Sequence, residues 1–117
     1  MRSRDPESAL RDALDAAGMA AAFCEGVSLD GFGRDEVIRA APERKLELVG
    51  EALSRAERAD SSIGDSIRDL RRIVGLRNVL AHGYDVVDPA EIYLIVTTSV
   101  PDLIVTLRAM LRAEDTE

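Results

Sequence analysis

The sequence predicts an all-α fold, an antiparallel up-and-down bundle of four to five helices, and three observations carry that expectation. Apolar residues recur every three to four positions in successive stretches, as on one face of an α-helix. Two Phe, two Tyr and no Trp leave the core to Leu, Ile, Val and Ala, which suit close-packed helices better than an aromatic-rich sandwich. The polar breaks between stretches are short, as between antiparallel neighbours in a bundle. With 117 residues, 46% of them hydrophobic, and only four Pro, the chain reads as one domain over 1–113 and an acidic, frayed end over 114–117.

Asp5 and Pro6 fill the N-cap and first helical positions of helix one, and Leu10, Ala13, Leu14, Ala17, Ala21 and Cys24 recur at helical spacing until Gly26. Residues 26–33, with Gly26, Gly31 and Gly33, read as a connection. The second helical pattern is weak before Pro42 and strong after it, where Leu46, Val49, Gly50, Leu53 and Ala56 share a side. Pro42 is expected to kink or restart that helix. After a polar turn at 59–62, Ile63, Ile67, Leu70 and Val74 open a third helix that ends near Gly83. Asp88, Pro89 and Glu91 supply an N-cap, a helix-compatible proline and a capping-box acid for a fourth. The stretch 92–100 that follows is rich in β-branched residues and also fits a strand. Pro101 and Asp102 start another segment, striped by Leu103, Ile104, Leu107, Met110 and Leu111.

A net charge of −7 and a pI near 4.7 argue against broad electrostatic attachment to nucleic acid or an anionic membrane. Contact with RNA is therefore expected to be local, and Arg68, Arg71, Arg72 and Arg77 crowd into ten positions where it could occur. The single Cys24, set among Ala20, Ala21 and Phe23, reads as core and cannot form an intramolecular disulfide, which makes the cytoplasm the default location. No uninterrupted apolar run reaches the roughly 18 residues of a membrane span, and the first residues do not resemble a signal peptide, so none is expected. One His and one Cys, far apart, do not make a zinc site, so no metal is expected.

Residues 77–84 read Arg-Asn-Val-Leu-Ala-His-Gly-Tyr and contain the only histidine. At about 100° per residue, Leu70, Ile73, Val74, Leu80 and Ala81 fall within about 60° of Arg77, so a guanidinium emerges in an apolar stripe. Such a cation is costly unless paired or used. Arg68, Arg71, Gly75, Asn78 and His82 fall together on a second face, about 100° to 180° away. Arg77 and His82 can then meet one substrate only if the helix unwinds near Gly83 or two subunits contribute, as in a two-fold homodimer whose interface includes this helix. Gly75 would let a second backbone come close.

Arginine plus histidine suits cleavage of an RNA phosphodiester by its own 2′-hydroxyl. The imidazole moves a proton near neutral pH, and the guanidinium binds two phosphoryl oxygens as charge develops on them. Asn78, one turn before His82, could orient the ring. Plainer roles compete. His82 could cap a helix end, and Arg77 could form a buried ion pair with Glu51 or Glu47. Arg68, Arg71 and Arg72 could be a solvated face beside Asp65 and Asp69, and Tyr84 a half-buried ring.

The segment 76–88, LRNVLAHGYDVVD, resembles the HEPN superfamily and in particular its HepT-like toxin branch, whose signature is Arg, four residues, His, one residue, Tyr. Arg77, His82 and Tyr84 match it, and Asn78 fits a position that is commonly polar. Val49-Gly50-Glu51-Ala52 is similar to a Gly-Glu-Ala element and Val100-Pro101-Asp102-Leu103 to a Leu-Pro-x-Leu element, so the likeness spans 32–111 in order. Gly83 stands where the family often has Glu, and Ile92-Tyr93 near its usual Trp.

The resemblance implies a HEPN-like homodimeric ribonuclease toxin in which Arg77 and His82 are catalytic and Asn78 supports them. Its expected partner is a minimal nucleotidyltransferase (MntA-like) antitoxin. That partner transfers AMP from ATP to Tyr84, adding charge and bulk beside His82. RNA cleavage would need no cofactor; ATP and Mg would belong to the partner's reaction. The alternative is a non-catalytic HEPN module that binds a nucleotide or partner.

Overall fold

A computed structural model of the chain describes the backbone at 4–82 and 88–115 and the side chains at 6–81 and 88–113. Every regular element among the described residues is helical: α1 (Arg4–Phe23), α2 (Leu29–Arg34), α3 (Glu36–Ala59), α4 (Ile63–Ser66), α5 (Leu70–His82), α6 (Pro89–Leu94), a π turn (Ile95–Ser99) and α7 (Val100–Asp115). The all-α expectation therefore holds.

The long helices lie in a row, α5 on α3, α3 on α1 and α1 on α7. Neighbours run antiparallel. Asp12 of α1 pairs with Arg55 of α3 at 2.9 Å, and Arg71 near the start of α5 pairs with Glu57 near the end of α3. Ala9, Ala13, Ala16, Ala17 and Ala20 are buried along α1, and their small side chains let α3 and α7 pack closely on it.

The helix starts and stops depart from the sequence reading in instructive ways. α1 already includes Arg4, ahead of the proposed Asp5 cap, and ends at Phe23, with Gly26 at φ 77 completing the turn. The expected connection at 26–33 contains α2, whose N-cap Ser28 accepts from the Gly31 N–H at 3.0 Å. α2 exists to bury Phe32, whose ring packs on Tyr93 with centroids 5.4 Å apart. The Tyr93 hydroxyl donates to the Val27 carbonyl at 2.7 Å, which ties α6 to the turn before α2.

Pro42 does not restart the second helix. α3 is helical throughout, capped by Asp35, which accepts from the Val37 N–H at 2.9 Å. Pro42 sits early enough that the bond it forfeits lies near the helix start, where Arg39 adds support by donating to the Phe32 and Gly33 carbonyls at 3.0 and 2.8 Å.

The third helix is not continuous from Ile63. It breaks after α4, and Asp69 takes a left-handed φ of 65° before α5 begins. At the C-terminus the opposite holds. One helical run passes from Pro89 to Asp115 through Pro101, where two segments, or a strand, were expected. Pro101 has no N–H to donate, and its ring crowds the carbonyl one turn back. The widened π turn just before it, closed by the Val100 N–H donating to the Ile95 carbonyl, accommodates both.

Pro89–Ala113 is long and apolar enough to cross a membrane, with an 18-residue window of mean hydropathy 1.6 inside it, although no uninterrupted apolar run marks it in the sequence. Glu91, Asp102, Arg108 and Arg112 punctuate it, and Ile92, Ile95, Val96, Val100, Leu103, Leu107 and Leu111 are buried in the core.

Candidate active site

α5 lies at the edge of the row and packs chiefly on α3. Leu70, Ile73 and Leu76 are its buried residues, Val74 and Leu80 are half-buried, and Ala81 is exposed. The apolar stripe is thus narrower than its spacing predicts. Arg77 lies half-buried against α3. A Cβ added to Gly50 of α3 would come within 2.9 Å of the Arg77 Cβ and 3.1 Å of the Ile73 carbonyl oxygen, so the two backbones are close here because Gly50 has no side chain.

The expected ion pair with Glu51 or Glu47 is not formed. Glu47 pairs with Arg44 at 3.2 Å, and Glu51 is exposed. The Arg77 Nε is shielded from solvent and has no hydrogen-bond partner. A shielded donor left this way costs about 1–3 kcal/mol, so the fold holds a cation in a place that stability alone does not favour.

The second face of α5 is open. Arg71, Gly75 and Asn78 are exposed, and a Cβ on Gly75 would meet nothing within 4 Å. Within one chain, the close backbone approach therefore falls at Gly50, and Gly75 faces outward. Arg68 does not belong to this face, because it lies in the break before α5. It is exposed and lines a shallow groove with Ser66, Asp102 and Thr106. The other two arginines are engaged, Arg71 with Glu57 of α3 and Arg72 with Glu91 of α6 at 4.0 Å. Asp65 and Asp69, the neighbours expected from the sequence, do line a groove with Arg71, and Asp65 another with Arg68, but neither is an ion-pair partner of Arg71 or Arg72. Asp69 instead accepts from the Ser99 hydroxyl at 3.3 Å.

His82 closes α5, but its side chain and the whole of Gly83 and Tyr84 lie outside the described residues. The structure thus places Arg77 and Asn78 on different sides of one edge helix and sets Arg68 apart from both. Read from the sequence, Gly50 is a packing-face residue and Asp69 a neighbour of the arginines, with neither given a part in placing α5. The first carried a faint signal in its Gly-Glu-Ala context, and the second carried none.

α5 is thus an edge helix that carries a half-buried arginine, its shielded Nε without a partner, beside an exposed polar face. The chain belongs to the ribonuclease HepT-like family, which it matches over residues 13–110. It is 33% identical over 103 residues to the protein named "Putative RNase MJ1380" of Methanocaldococcus jannaschii, covering 88% of this chain and 94% of that one. No solved structure matches.

Proposed function

We propose that this chain is the ribonuclease toxin of a toxin–antitoxin pair, a metal-independent RNA endonuclease whose Arg77 and His82 meet across a homodimer interface. The buried, unpartnered Nε of Arg77 carries this reading, together with membership of a ribonuclease family. The RNA 2′-hydroxyl gives up its proton and attacks phosphorus, and the 5′-oxygen leaves with a proton. The products are a 2′,3′-cyclic phosphate and a free 5′-hydroxyl. His82 serves one of these proton transfers, Arg77 stabilises the charge on the phosphoryl oxygens, and Asn78 supports the imidazole. Among the described residues of the basic run, Arg68 has no ion-pair partner and is the candidate for a neighbouring phosphate, whereas Arg71 and Arg72 lie beside Glu57 and Glu91.

The open face of α5, with Gly75, Asn78 and Val79 exposed, is where a second copy would dock. Tyr84 is the off-switch, modified with AMP by a nucleotidyltransferase antitoxin that uses ATP and Mg; the pair works in the cytoplasm. Purified wild type should cleave RNA while Arg77→Ala and His82→Ala do not, and equal cleavage by all three sinks the catalytic assignment. Intact mass after incubation with the partner and ATP should rise by one or more AMP units. An addition that survives Tyr84→Phe removes Tyr84 from its role.

A second reading, a non-catalytic HEPN dimer that binds a nucleotide or partner, draws on the net charge of −7 and on the two arginines already neutralised. Uncut RNA at every protein concentration, with a stable complex formed on adding the partner, selects it.

A further inference from the structure

We propose that Gly50 is the positioning residue for Arg77: its missing side chain sets the gap between α3 and α5 at the point where the guanidinium is seated. The inference rests on the ribonuclease reading for its catalytic consequence, but its structural core stands on geometry alone.

Three contacts converge on the empty Cβ position of Gly50: the Arg77 Cβ at 2.9 Å, the Ile73 carbonyl oxygen at 3.1 Å and the Val74 Cα at 3.6 Å. Two of these atoms are backbone, and the third is fixed to backbone by one bond. None is the far end of a flexible side chain, so a methyl group at 50 has to push α5 off α3. The atom nearest that push belongs to the residue whose Nε is shielded and unpartnered. α5 packs chiefly on α3, and its ties to the C-terminal helical run, Arg72–Glu91 and Asp69–Ser99, lie at or before its first turn, so at Arg77 the α3 contact dominates. At Gly64 in α4 the close atoms are instead the ends of the Glu57 and Leu70 side chains, at 2.7 and 3.3 Å. A Cβ at Gly18 in α1 meets nothing within 4 Å. A displacement of even a fraction of an ångström matters for a group that must meet phosphoryl oxygens at hydrogen-bond distance.

The test compares three variants of the full chain: Gly50→Ala, Gly18→Ala and Leu53→Ala. Leu53 is fully buried on α3, so its truncation is a destabilising control that puts no new atom between α3 and α5. The first readout is the Arg77 side-chain Nε–H signal in a 15N correlation spectrum, with its solvent-exchange rate. Gly50→Ala should shift that signal and speed its exchange on the order of tenfold, and Gly18→Ala and Leu53→Ala should not. An unmoved signal in Gly50→Ala, or an equal shift in Leu53→Ala, overturns the assignment. The second readout is RNA cleavage, where kcat should fall at least about tenfold in Gly50→Ala with KM little changed.

Absence of cleavage by the wild type removes the ribonuclease reading but leaves the Nε readout to decide the positioning role. Should Gly50→Ala not fold, the wild type still decides. Its Gly50 α-protons should show an NOE to the Arg77 β-protons, and the Arg77 Nε–H should exchange far more slowly than that of exposed Arg58. A missing NOE or equal exchange rates overturn it.

Discussion

The Ser99 hydroxyl donates to the Asp69 carboxylate across 3.3 Å, joining the π turn of the C-terminal helix to the left-handed residue that opens α5. The helix that carries Arg77 is thereby fixed at its start. Asp69→Ala keeps the unfavourable φ and loses the bond, and should destabilise by about 1–2 kcal/mol; Asp69→Gly removes the strain and should cost less. Urea unfolding separates them, and equal losses would mean that the backbone conformation contributes nothing.

Arg77 offers a sharper contrast between stability and activity. Because its Nε is shielded without a partner, Arg77→Met should raise stability by about 1 kcal/mol while lowering RNA cleavage by about a hundredfold or more. Thermal melts and a cleavage assay check both halves. A destabilised Met variant would show that the guanidinium holds the fold together.

Burial raises the pKa of the Cys24 thiol, which is 6% exposed. Both effects keep the thiolate scarce and out of reach. Alkylation of the folded protein at pH 8 should run at least about tenfold slower than in denaturant. Equal rates would contradict the packing assigned to the end of α1.

Glu43 gives a pH signature. Burial raises its pKa, partly opposed by the Arg39 guanidinium and reinforced by Glu36. The folded state then holds a proton that the unfolded chain has already released. This carboxyl's contribution to stability therefore falls as pH rises from the ordinary glutamate value to the raised folded one. Glu43→Gln should lack that part of the pH dependence and gain on wild type at neutral pH. Parallel stability curves for the two proteins would remove the effect.

Periodicity found what repetition could reveal. The faces of α1 and α3 follow directly from their spaced Ala, Leu and Val, and the arginine in an apolar stripe was visible because it interrupts a pattern. α2 was hidden because one buried residue, Phe32, makes no period and three glycines surround it. The break before α5 was hidden for the opposite reason. Ile63, Ile67, Leu70 and Val74 keep helical spacing across it, and all but the half-buried Val74 are fully buried. Pro101 misled because a proline in a helix signals an end unless something upstream makes room, and the π turn leaves no compositional trace. At the site, Arg77 was legible and its closest neighbour Gly50 was not, since a contact between helices is a property of two segments at once.

The π turn at Ile95–Ser99 works as a phase shifter. It takes up one residue more than an ordinary turn, so the residues after it meet the core about a quarter-turn later than an uninterrupted helix would present them. Removing one residue there would restore a regular helix and leave Leu103, Leu107 and Leu111 facing α1, whereas regularising the turn at full length would rotate them away. The two halves of the longest helix therefore keep separate registers, and an alignment that forbids a gap within these five residues will misassign every core position that follows.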